Sequence, residues 1–163
     1  MTNQIDFEEL DQPKLPSILN VLTILSIIGS ILGLIGGVYN FVTAEEGYKK
    51  MLEAQSKMQD APAFVKKMMG PEMLETLRKT AENKVPLLVL TLIGSALCLY
   101  GAIEMRKLKK QGYMLWMVGE ILPLVGSVVF IGFGMFSGFG IGGLIFPLLF
   151  IALYTVNRKY LVY

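Results

Sequence analysis

The chain has no histidine and a single cysteine, Cys98, among its 163 residues. Without histidine there is no Ser-His-Asp triad, no His-ligated haem and no ordinary zinc site. With one cysteine there is no intramolecular disulfide and no iron–sulfur cluster. Charge is scarce as well, at 17% of residues, against about a quarter in soluble domains. The 15 basic and 13 acidic residues leave a net charge of +2, too little field to point to nucleic acid as a partner. The glycine-rich stretch from Gly132 to Gly143 follows no predicted strand and lacks a Lys-Ser/Thr ending, so it is no nucleotide loop. No catalytic constellation remains, and the chain reads as non-enzymatic, with no cofactor and no metal centre expected.

What the sequence does have is apolar residues, 53% of the total, with a mean hydropathy of +0.55. They are gathered in runs long enough to cross the roughly 30 Å hydrocarbon core of a bilayer. These runs lie at about 18–42, 86–103, 113–133 and 140–156. Pro86 suits the first turn of the second run. A single helix from Tyr113 to Val156 would be about 65 Å long, so the glycine-rich middle must turn or bend back. The expected fold is therefore all-α: one membrane domain over 1–163, with four transmembrane helices bundled in the lipid bilayer. The start of the chain does not read as a cleaved signal. Asp6, Glu8, Glu9 and Asp11 face only Lys14, where a signal needs a basic start and an apolar stretch of about 7 to 15 residues.

Between the first two runs, residues 43–84 form the one sizeable stretch outside the lipid. Tyr48, Met51, Leu52, Gln55 and Met58 share a helical face; Phe64, Val65, Met68 and Met69 repeat the pattern after Pro62, and Met73, Leu74, Leu77 and Ala81 repeat it after Pro71. Three short amphipathic helices are expected. About forty residues are too few to bury a core of their own, so their apolar faces should rest on the bilayer, on each other or on a partner.

Basic residues give an orientation. Arg106, Lys107, Lys109 and Lys110 make a compact basic turn, and Lys14, Arg158 and Lys159 fall on its side of an even-span topology. The long loop dilutes its bases with acids. The positive-inside rule then puts the turn and both termini in the cytoplasm, with a bacterial cytoplasmic membrane as the expected location.

Within the runs, small residues recur every fourth position: Gly29, Gly33 and Gly37 in the first, Gly94, Cys98 and Ala102 in the second. Such rows let helices approach closely, within one bundle, between copies or against another membrane protein. Glu120 is the residue that asks for a role, because an ionisable group inside an apolar span is costly. Pro123 deprives the Gly119 carbonyl of its usual helical donor, so a carboxylate and a free carbonyl at one kink could hold a proton or a cation. With the second and third spans turning near Gln111 and Gly112, Glu104 and Glu120 should lie at similar depth and could pair. Alternatively, each meets a base of the Arg106–Lys110 cluster. The leading expectation is an accessory or assembly subunit of a larger membrane complex, or a homo-oligomer. The alternative is a small transporter or channel working through Glu120, with or without Glu104.

Overall fold

The structure is a computed structural model, and it describes residues 14–57, 62, 65–66, 69–136 and 141–163. Among these residues it is all-helical. Helix α1 is Ser17–Ser56, α2 is Pro71–Glu82, α3 is Lys84–Arg106, α4 is Lys110–Phe130 and α5 is Gly142–Asn157, with short 3-10 turns at Phe133–Phe136 and Arg158–Tyr160.

Three of these helices, α1, α3 and α4, are long and apolar enough to cross a membrane. The way they bury their residues agrees. Helix α1 turns Thr23, Ser26 and Ser30 inward and leaves Ile24, Leu25, Ile28, Ile31, Leu32 and Ile35 exposed. In water that arrangement would be inside out; in lipid, apolar side chains gain nothing by leaving the surface, and small residues hold the helices together. Helix α5 carries no charge but has 16 residues, about 24 Å, short of the usual span.

Helix α1 does not stop where its apolar run stops. It continues to Ser56, 40 residues in all and about 60 Å long, so the first of the expected loop helices is the upper half of the first span. Ala, Glu, Lys, Met and Leu dominate beyond Val42, and all are good helix formers, so the change of composition marks the membrane boundary without breaking the backbone. The middle expected helix, at Phe64 to Met69, lies largely outside the described residues. The third is α2, opened by Pro71 at its first position. At α2 the Arg78 guanidinium, 2.8 Å from Glu75, holds that carboxyl down at about 2. That local support is therefore present above ordinary carboxylate pKa values and lost only as pH falls through about 2.

The closest packing is between α3 and α4. A β-carbon added at Gly101 would stand 2.5 Å from the Trp116 amide nitrogen and 2.6 Å from the Gly112 carbonyl oxygen; one added at Gly119 would stand 2.6 Å from the Gly94 carbonyl oxygen. The backbones touch along an antiparallel seam in which Gly94 opposes Gly119 and Gly101 opposes Gly112. The turn between them is made at Lys107 to Lys109, with Leu108 at φ 59°, a conformation that side chains other than glycine's adopt at a cost. The C-terminal tail holds it there: the Val162 and Tyr163 amides donate to the Leu108 carbonyl at 2.9 and 3.1 Å, and the Lys110 amide donates to the Tyr163 carbonyl.

Helix α1 lies antiparallel across α3, with Gly37 on Thr91 and Gly33 on Ser95. At the opposite end from the basic turn, Lys84 meets Glu45 and sits over the Phe41 ring. Helix α5 is pinned near its C-terminal end, where Tyr154 stacks on Trp116 at 4.5 Å and shares a 2.9 Å hydrogen bond with Ser26. Leu19, Leu22, Met105, Leu108, Tyr113 and Leu161 complete this core. Lys14, the Arg106–Lys110 turn and Arg158–Lys159 are thereby gathered at one end of the molecule.

Replacing Gly119 by alanine is expected to lower stability by about 1–3 kcal/mol through overpacking. Gly47 has open space around it, and its replacement by alanine should add about 0.5–1 kcal/mol through helix propensity. Thermal unfolding in mild detergent separates the two; equal midpoints would contradict the glycine seam.

Candidate functional site

The seam fixes where each singled-out residue lies. With Gly94 against Gly119, Glu120 stands opposite residue 93, near the middle of both α3 and α4. Glu104 stands beside the turn, about 16 Å nearer the end of the hairpin. The two carboxylates are therefore not brought together. The turn falls at Lys107 to Lys109, several residues before the Gln111-Gly112 position that the sequence suggests, and this offset removes the expected pairing.

Glu104 is an ion-pairing residue. Its carboxylate is buried and receives Lys107 at 2.8 Å and Lys109 at 2.7 Å, one from its own helix end and one from the turn. In return it raises the Lys107 ammonium above its ordinary value. The basic turn is thus partly neutralised by an acid beneath it. Among the described residues Glu120 has no basic partner. Its Oε2 accepts a long hydrogen bond of 3.4 Å from the Cys98 thiol, which also reaches the Trp116 carbonyl at 3.5 Å.

Glu120 instead lines a cavity of about 200 Å³ between α1, α3, α4 and α5, together with Ser30, Thr91, Ser95, Cys98 and Pro147. Gly119 and Pro123 are also in its wall. Ser95 is the central residue of α3 and Glu120 of α4, which puts the cavity at mid-span. Its wall is largely apolar, with the Glu120 carboxyl and the hydroxyl-bearing Ser30, Thr91 and Ser95 among the lining residues. Ser30 donates its proton to the Ser26 carbonyl at 2.7 Å, and Thr91 donates to the Leu87 carbonyl at 2.8 Å. No Lys or Arg lines it. Ser95 has no hydrogen-bond partner among the described residues, and its Oγ faces Gly33.

The small-residue rows divide by use. Gly33, Gly37, Gly94 and Cys98 are packed within the chain, and Ala102 is completely buried. Gly29 has nothing within 4 Å of an added β-carbon. The row that matters most in α4, Gly112, Gly119 and Gly126, escaped the sequence reading. Its signal is a seven-residue spacing that matches a left-handed helix pair, with Gly112 read as a turn glycine and Gly119 as part of a kink.

The fold and its burial pattern define a helical membrane protein with transmembrane helices. The chain matches no family model, no curated protein and no solved structure, so its role has to be argued from these residues.

Because Glu104 is buried and doubly paired, Glu104→Ala should destabilise the hairpin by about 1.5–3 kcal/mol, the scale of hydrogen bonds to charged groups. Unfolding midpoints measure this. If E104A matches the parent, the ion pairs contribute nothing to the turn.

Proposed function

We propose that the chain is a non-enzymatic integral membrane protein that acts by helix packing and binding, as an accessory or assembly subunit of a larger membrane complex or as a homo-oligomer. The observation that carries this is a face of α1 that the described residues leave uncovered. Gly29 and Gly36 have open space where a β-carbon would stand, and with exposed Leu25 and Leu32 and exposed Asn40 they form a stripe beside the face packed on α3. Small residues and a single polar side chain on a lipid-facing stripe suit close approach by another helix, with Asn40 as an interhelical hydrogen-bonding group. Seven basic residues gathered at one end, with Glu104 as the acid among them, support cytoplasmic placement of that end, and a bacterial cytoplasmic membrane is the proposed location. The water-side half of α1 with α2 would then project on the opposite face.

The cavity favours a second reading, a small transporter or channel working through Glu120. An unpaired carboxylate at mid-span is the usual mark of an ion or proton path, and mid-depth sites beside proline-interrupted helices are where transporters hold their cargo.

For the first reading, native mass spectrometry from nanodiscs should find a companion subunit or a second copy, and Gly29→Leu with Gly36→Leu should release it while the stability of the chain stays within about 0.5 kcal/mol of the parent, as for surface changes. Association that survives both substitutions would overturn the use of this face. For the second, Glu120→Gln should abolish flux in proteoliposomes at unchanged expression; undiminished flux would count decisively against it.

A further inference from the structure

We infer that the mid-span cavity is a binding site for a monovalent inorganic cation, held by the Glu120 carboxylate and the hydroxyl oxygens of Ser30, Thr91 and Ser95. This deepens the second reading above by naming what the cavity takes, and rests on that reading only in assigning Glu120 a ligand.

The first part of the argument is charge. One carboxylate lines the cavity and no cation does, and a lone charge in a low-dielectric interior is stable only when balanced. A single positive charge cancels it. A divalent ion would leave a net charge behind, and such ions are normally held by several carboxylates. The second part is the polarity of the hydrogen-bonding groups. Ser30 and Thr91, both lining residues, have committed their protons to Ser26 and Leu87, so any further partner of these oxygens must be a donor or a cation. Each hydroxyl oxygen keeps a further lone pair. Ser95 has a hydroxyl that nothing in the described chain uses, and it sits at the centre of α3. Pro123 lies inside α4, so the carbonyl of Gly119, which lies against Gly94 in the seam beside the cavity, receives no amide hydrogen from position 123.

The third part is volume. A proton alone would neutralise Glu120 within the carboxyl group and would need neither extra oxygens nor space. The cavity of about 200 Å³ has room for an ion and several waters, each water taking about 30 Å³ of liquid volume. A partly hydrated sodium or potassium ion, completed by protein oxygens, fits both the room and the donor set.

The test uses the purified chain in nanodiscs of uncharged lipid, at constant ionic strength, with chloride salts of sodium, potassium, lithium or the bulky cation N-methyl-D-glucamine. Trp116 is the only tryptophan and lies one helical turn from Glu120, so its fluorescence reports both binding and unfolding. We expect a saturable fluorescence change and a rising unfolding midpoint with sodium or potassium, absent with N-methyl-D-glucamine. Glu120→Gln should abolish both. Ser95→Ala should weaken the apparent affinity about tenfold without lowering the ion-free midpoint, since that hydroxyl has no partner to lose among the described residues. If E120Q fails to fold, S95A carries the test alone. Identical behaviour in all four salts would overturn the inference, as would an ion response that survives undiminished in both variants. Ion binding without flux would support the site and remove the transporter reading; flux of another solute without any ion response would leave that reading standing and overturn the site.

Discussion

Two helices that touch backbone to backbone can do so at only one register, and the rest of this molecule is arranged around the register adopted by α3 and α4. The contact is made by glycines on both sides, so neither helix can slide without driving a side chain into the other's peptide groups. Once that register is set, the turn falls at Lys107 to Lys109, Glu104 comes to rest beneath two lysines, and Glu120 is held at mid-depth away from every basic group in the described chain. One geometrical fact separates the two carboxylates into a structural anchor and an unbalanced charge.

The same contact explains why the bundle has a cavity where it does. Helices α3 and α4 are clamped along their length and α1 is laid across α3, but α5 is fastened chiefly at one end, through Tyr154 against Trp116 and Ser26. Near Pro147 it leaves a gap that side chains do not fill. Exposed Ile145, Phe146 and Leu149 face outward, where lipid is their natural neighbour. Polar groups are concentrated on the inner surfaces, but most of their hydroxyls satisfy their own helix and do not bridge to a neighbour. Thr23, Ser30, Thr91 and Ser127 all donate to carbonyls within their own helix. Hydrogen bonds between helices are made by other side chains, among them the tyrosine hydroxyls, Tyr154 to Ser26 and Tyr113 to Thr155.

Much of this was legible in the residues, and the parts that were not have physical reasons. The three long membrane helices follow from length and hydropathy, which the bilayer reads directly. The join at Val42 was illegible because composition records what solvent a segment meets, while helix continuity depends on backbone propensity, and the two change at different places in α1. The depth of Glu120 was misread because Gly112 looks like a turn residue. Glycine serves close approach as readily as positive φ, and here the positive φ belongs to Leu108, a residue with no local signal for it. What puts Leu108 there is a contact with residues 162 and 163, far beyond any local window.

That contact joins residues far apart in synthesis: the amides that hold Leu108 in place belong to residues made about fifty positions later. Until then the hairpin has its seam but not its clasp, and a strained leucine at its tip is free to relax. The clasp is therefore made by residues that follow the loop by about fifty positions, so closure of the hairpin tip waits on chain made well after it.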